Sequence, residues 1–366
     1  MRILLTADPE LPVPPQLYGG IERIVDLLVT GLQTRGHKVG LVGHPDSTSS
    51  ATQLFSWRRK RSQNKFDTLN NSITLWSAVQ QFQPDIVHSF SRILYLLPLL
   101  RSQLPKVMSY QRYPSYCTTS WGVKLAQGSL SFTGCSDYIC SIGQKSGGVW
   151  HRIHNCVELE KYTFQPTVAA DAPLVFLSRV ERIKGAHTAI AIARKTGHRL
   201  IIAGNHIQTG EAGRYWQEEI VPHLGKDGIE YIGPVNDAEK NQLLGQAAAM
   251  IVPIEWEEPF GIVFAEALAC GTPVISCPRG ALPEIMRHGV DGYLVNSLDE
   301  GVAAIKQLPD IDRSQCRQRA EQCFSADVIV EQYGKLYQTL LYGDQDDENC
   351  FSTNTFNLDT TNRFST

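Results

Sequence analysis

The chain has 366 residues, 42% of them hydrophobic, and a formal net charge of −3. That length makes two domains the natural expectation and excludes a small single-core module. The longest apolar run, "ILYLLPLL", is too short to span a bilayer and is broken by Pro98, which excludes a membrane-spanning chain on this reading.

The chain opens with "RILLTA", a strand that begins at once and leaves no room for a signal peptide. A long loop ending in "YGG" follows, then a helical pattern over Gly20–Arg35 and the strand-like "KVGLVG". The stretch "SWRRKRSQNKF" gathers Arg58, Arg59, Lys60, Arg61 and Lys65 between Trp57 and Phe66. It reads either as a solvated loop or as a patch that meets an anionic membrane or lipid-diphosphate acceptor, with the two aromatics as anchors. "DIVHSF", "KVMSY" and "SFTGCS" are further strands. Hydrophobic order gives way to Pro, Ala and charge at "HNCVELEKYTFQPTVAADAP", the expected joint. Beyond it, "LVFLSR", "RLIIAGN", "EYIGPV", "AMIVPI" and "PVISCP" alternate with helical patterns at Lys184–Thr196, Asp237–Ala248 and Ile262–Cys270. A last helix is predicted over Ala326–Tyr342, followed by a polar tail that reads as disordered.

Nearly all-apolar strands alternating with helices imply parallel sheets covered on both faces, so the fold class is α/β with two Rossmann-like domains. The predicted boundaries are 1–160, 161–325, a helix at 326–342 packing back on the first domain, and the tail 343–366. The nine cysteines have neither CxxC nor metal-ligand spacing. They read as buried thiols of a reducing compartment, and no metal is expected. The charge is uneven: residues 1–160 carry 16 Lys+Arg against 10 Asp+Glu, and the rest 18 against 27. The first part is therefore the one expected to meet an acidic partner or membrane surface.

Ligands of open parallel sheets bind at the carboxyl ends of strands. Three segments there carry chemistry. Gly19 and Gly20 open a helix after the first strand, where backbone can approach a phosphate; the plain alternative is a flexible turn. Arg179 and Lys184 flank a strand–helix turn, where a fork and a point charge could clamp a diphosphate; the alternative is two solvated cations. In "EPFGIVFAEALACGTPVI", Glu258 precedes a helix start and Glu266 lies about two turns inside. The N–H groups of Phe260, Gly261 and Ile262 form an anion site between the two carboxylates. Carboxylates beside a bound phosphate suit the hydroxyls of a sugar or ribose.

The blocks "YGGIERIVDLL", "SRVERIKG", "YIGPV" and "EEPFGIVFAEALACGTPVISCPRGALPEIMRHGVDGYLV" resemble, in order, those of the retaining GT-B glycosyltransferases of family 4. The resemblance covers about residues 1–342. It implies two facing Rossmann-like domains, a nucleotide-sugar donor and no metal. It implies that Arg179 and Lys184 hold the donor diphosphate, with Gly20 approaching it from the first domain. Glu266 would take the ribose hydroxyls, Glu258 the donor sugar, and Val235 would border the base. The family often has His-x-His after the fourth strand; here "DIVHSFSR" has His88 and Phe90, so His88 is a possible sugar or acceptor contact.

The expected activity is transfer of a hexosyl unit, UDP-glucose before GDP-mannose as donor, to a saccharide or lipid-linked saccharide. The family's habits point to surface or envelope polysaccharide synthesis. The expected setting is the cytoplasm, either free or peripheral at the inner membrane surface, with no nucleic-acid partner. Two other classes stay open: a nucleotide-sugar epimerase, and a non-catalytic nucleotide-sugar-binding protein.

Overall fold

The computed structural model describes residues 1–15, 19–61 and 64–343. Tyr18 of the glycine loop and the tail from residue 344 lie outside them. Among the described residues, no helix is long and apolar enough to cross a membrane.

Two parallel sheets form the frame. The first contains β1 (Arg2–Thr6), β2 (Lys38–Gly43), β3 (Gln53–Ser56), β4 (Ile86–Ser89), β5 (Lys106–Tyr110), β6 (Leu130–Gly134) and β7 (Val149–Arg152). Its order is β3-β2-β1-β4-β5-β6-β7. The second contains β8 (Leu174–Leu177), β9 (Leu200–Ala203), β10 (Ile229–Gly233), β11 (Ala249–Val252), β12 (Val274–Ser276) and β13 (Gly292–Leu294), in the order β10-β9-β8-β11-β12-β13. In each sheet the first strand in sequence sits inside, flanked on both sides: Ile3 is in register with Val39 on one side and Ile86 on the other. The order reverses there, and the loops leaving such a switch point open the crevice where ligands bind.

The ten strands read from the sequence are all present. Missing from that reading are β3, β7 and β13, each at a sheet edge. "QLFS" and "VWHR" are largely exposed, so they lack the continuous apolar run that marks a central strand.

Helix α1 (Gly20–Thr34) buries Ile24, Val25, Leu28, Val29 and Leu32. The final helix, Ala326–Tyr342, adds Ile329, Val330, Tyr333, Leu336 and Tyr337 to the same core. The first domain is thus completed by the far end of the described chain. The route back is fixed where Val157 pairs with Ser325 and the Val157 N–H donates to Phe324 O at 2.7 Å.

The basic stretch divides differently from its sequence reading. Trp57 is 2% exposed and its indole N–H donates to Ala7 O at 2.9 Å, so it cannot anchor a membrane. Asn64 caps helix α2 (Lys65–Phe82), accepting from the Asp67 N–H at 2.8 Å.

Candidate active site

The loops at the carboxyl ends of both sheets meet in one place. Tyr113 Oη, after β5, donates to Glu257 O at 2.9 Å, and Ser136 Oγ, after β6, donates to Pro259 O at 2.7 Å. A Cβ placed on Gly20 would lie 3.2 Å from Ile262 Cδ1. The glycine after β1 therefore brings first-domain backbone against the helix start of the second domain. Arg23 in α1 ion-pairs with Asp237 at 2.5 Å.

Glu258 sits at the centre of this junction. Its Oε2 accepts from Lys184 Nζ at 2.5 Å and from the Trp256 indole at 3.0 Å. The Lys184 ammonium also lies 4.5 Å from the Trp256 ring centroid, a cation–π contact. Both charged side chains are 9% exposed. The sequence reading placed Lys184 at the opening of a helix; it instead closes a short 3-10 turn, Arg182–Lys184, and the helix runs Ala186–Thr196. Gly185 causes the difference. Its φ is 77°, and a Cβ there would lie 2.0 Å from Pro253 O. Only glycine lets the turn press against the end of β11, and that seating turns Lys184 inward onto Glu258.

Arg179 stands apart from this pair. It is 54% exposed and binds Glu181 at 2.9 Å. The two cations expected to act as one clamp are thus held separately, one buried and one open.

Glu266 anchors a second network. Its Oε1 accepts from Tyr162 Oη and Lys240 Nζ, each at 2.6 Å. Burial and the neighbouring Glu266 carboxylate push the Tyr162 phenol well above its ordinary range, so it remains a donor. Lys240 also reaches Asp237 at 3.5 Å, and Asp237 reaches Arg23. Burial would raise the Asp237 carboxyl, but the hydrogen bond from Arg23 and the charges of Lys240, Arg23 and Lys161 hold it below its ordinary range. A carboxylate of the second domain is thereby wired to α1 of the first.

Between the glutamates, the helix Ile262–Ala269 starts at Gly261, with φ 83° and no side-chain cap. A Cβ on Gly261 would collide with the Phe264 ring at 2.5 Å. Phe260 is 2% exposed, its ring 5.8 Å from that of Phe324. It serves the core with its side chain and leaves only backbone for a ligand. Val235 lies half-buried at the carboxyl end of β10, just before Asn236, whose capping box with Glu239 starts the next helix.

His88 is not at the cleft surface, which corrects its reading as a sugar or acceptor contact. It is fully buried, with Nδ1 2.6 Å from Tyr337 Oη and Nε2 2.6 Å from Ser109 Oγ. Burial drops its pKa from 6.5 to about 3, so the ring is neutral. The final helix supplies the tyrosine that holds it, and nothing near the "DIVHSF" motif signals so distant a partner.

The first domain contributes groups the sequence reading missed. Asp8 follows β1, Arg92 follows β4 and Arg112 follows β5, three adjacent strands. Burial raises the Asp8 carboxyl against the pull of Arg112 and Arg92. Glu22, 6% exposed, is raised by burial as well. Reading on past His88 to Arg92, and past "KVMSY" to Arg112, would have found both cations by the same carboxyl-end rule.

The fold defined by these two facing Rossmann-like domains is GT-B, the architecture of group 1 and family 4 glycosyltransferases. Residues 164–322 match the family described as glycosyl transferases group 1, and residues 18–129 match glycosyltransferase family 4. Among curated proteins, the D-inositol 3-phosphate glycosyltransferase of Mycobacterium marinum is 30% identical over 139 residues, 37% of this chain. That match spans 30% of the relative's own length. Among solved structures, HepE of Anabaena in complex with UDP and glucose aligns with a TM-score of 0.71 at 18% identity, covering 93% of this chain and all of that one. Sucrose-phosphate synthase from Thermosynechococcus elongatus aligns at 0.73 and 19%, covering 94% and 100%.

Proposed function

We propose that the protein is a retaining, metal-independent hexosyltransferase that takes a nucleotide diphosphate sugar, UDP-glucose before GDP-mannose. The observation that carries this is the buried Lys184–Glu258 pair beside an uncapped helix start, at the point where both domains touch. A donor diphosphate would draw Lys184 away from Glu258, freeing the carboxylate for hydroxyls of the sugar. Arg179 would close on the diphosphate from its open side, and Glu266 would bind the ribose through its hydroxyls. Gly19, Gly20 and the N–H groups of Phe260, Gly261 and Ile262 would border the phosphates, and Val235 the base.

In the reaction, the bond from the anomeric carbon to the diphosphate oxygen breaks as the bond to the acceptor oxygen forms on the same face. The acceptor's hydroxyl proton passes to the departing phosphate oxygen. Lys184 and the aligned N–H groups stabilise the charge that grows there. The acceptor, a saccharide or lipid-linked saccharide of a surface or envelope polysaccharide, would lie over Asp8, Glu22, Arg92 and Arg112, with the enzyme working in the cytoplasm.

Incubation with a panel of UDP- and GDP-sugars, with nucleotide and sugar analysed separately, tests this reading. Slow release of nucleotide from one donor is expected. A changed sugar still joined to its nucleotide would make the protein an epimerase. Tight binding with no turnover, even with saccharide acceptors present, would make it a binding protein.

A further inference from the structure

Helix α2 has the wrong outer face for a soluble protein. Its inner face buries Asn71, Leu75, Ala78, Val79 and Phe82, so the opposite face should be polar. Instead it carries Phe66, Leu69, Ile73 and Trp76, exposed by 60%, 57%, 38% and 48%. Their spacing of three, four and three residues puts them in a single stripe. Only Lys65 and Asp67 are charged in the whole helix. Leu97, 43% exposed, lies on the adjoining 3-10 segment Ile93–Leu99, which Ser72 Oγ ties to the helix through Leu94 O at 3.0 Å.

Arg58, Arg59, Lys60, Arg61 and Lys65 are all exposed at the amino end of this stripe. The Arg59 guanidinium lies 5.2 Å from the Phe66 ring centroid, so the cationic and apolar parts are continuous. Two carboxylates answer the five cations: Asp67, 3.8 Å from Arg59, and Asp46, 3.3 Å from Lys60. A solvated loop accounts for the cations but not for the stripe. A neutral protein groove would fit the stripe but not the charge. An anionic lipid surface fits both, taking the aromatic and aliphatic side chains at its interface while its headgroups meet the cations.

We propose that the outer face of α2, together with Arg58, Arg59, Lys60 and Arg61 before it, docks the protein on an anionic bilayer. Trp76 and Phe66 are the aromatic anchors, in place of the buried Trp57. The loop leaves β3 at its carboxyl end, the end of the sheet that bears Gly20, Arg92 and Arg112. Docking therefore sets the first-domain wall of the cleft beside the headgroups, where a lipid-linked acceptor would present its sugar. Only this last consequence rests on the transferase reading; the docking itself does not.

The test uses the full chain and sedimentation with phosphatidylcholine vesicles, with and without phosphatidylglycerol. Wild type should bind the anionic vesicles at low salt and at least tenfold more weakly at high salt. Two variants, R58E/R61E/K65E and L69N/W76Q, should each lose at least tenfold in binding. Both should release nucleotide from the donor at the wild-type rate, which separates loss of docking from loss of fold or activity. Brominated acyl chains should quench wild-type fluorescence, and W76F should remove most of that quenching. Failure of wild type to bind anionic vesicles overturns the proposal. So does full binding by L69N/W76Q, or a wild type whose quenching W76F leaves unchanged, either of which would mean adsorption by charge alone. A lipid-free dimer of wild type that L69N/W76Q dissolves would make a second copy of the chain the occupant, and would overturn it too.

Discussion

The two walls of the cleft are held in opposite ways. On the second-domain wall both glutamates are satisfied internally, Glu258 by Lys184 and Trp256, Glu266 by Tyr162 and Lys240. On the first-domain wall the carboxyls of Asp8 and Glu22 are raised by burial. Among the described residues, Arg92 and Arg112 make no ion pair. The second-domain wall thus answers its own charges; under the proposed function, a diphosphate and sugar hydroxyls would take over these partners. The first-domain wall sets Asp8 near Arg112 and Arg92 with no ion pair closed among the described residues; under the proposed function, its preferences would depend on what the acceptor brings.

Removing Lys184 should break this comparison most sharply. K184A is expected to cut turnover by about 10²-fold, the usual effect of losing one group that stabilises a growing negative charge. It also strands Glu258 in a buried site, so unfolding free energy should fall by about 3 kcal/mol. The double variant K184A/E258A should recover most of that stability and none of the turnover. Turnover of K184A within twofold of wild type would remove Lys184 from the reaction.

The buried His88 network of the first domain should show itself in pH. The unfolded imidazole of His88 takes a proton below 6.5, whereas the buried one resists to about 3. Its folded pKa is lowered, so stability is full above 6.5 and is lost as pH falls. Between pH 6.5 and 5 the loss from this ring alone is about 2 kcal/mol. Denaturant titrations of wild type and H88Q over that interval measure it; equal slopes would mean that His88 is protonated in the fold.

The smallest effect separates the two glutamates. E266A should weaken free UDP by about tenfold, the scale of one lost hydrogen bond to a charged group. E258A should leave UDP affinity nearly unchanged while turnover with UDP-glucose falls. Calorimetric titration showing equal losses would collapse the distinction between ribose and sugar carboxylates.

What the sequence disclosed follows the same divide. Glu258, Phe260, Gly261, Ile262 and Glu266 fall within nine consecutive residues, so a short motif carries their geometry. Nine of the ten strands found lie inside their sheets and declare themselves because burial on both faces demands unbroken apolar runs; β10, at an edge, is found as well. The burial of Lys184 was hidden because it depends on how closely Gly185 approaches Pro253, far along the chain. His88 was misplaced because its partner Tyr337 is 249 residues away. The outer stripe of α2 has no compact motif: its four residues are spread over about three turns, and only Phe66 lies in the basic stretch.

The final helix bears on the order in which the protein is made. Residues 326–342 cover α1 and hold His88, yet they leave the ribosome only after the whole second domain. Domains ordinarily fold in turn as they emerge. This first domain must wait, with Val25, Val29 and Leu32 unsheltered, until more than 150 further residues have been translated. A chain stopped after Ser325 should accordingly be captured by hydrophobic-patch-binding chaperones during translation, and adding the peptide 326–342 in trans should release it. Release without the peptide would mean that the first domain closes its own core. In this fold a helix made after the second domain completes the first.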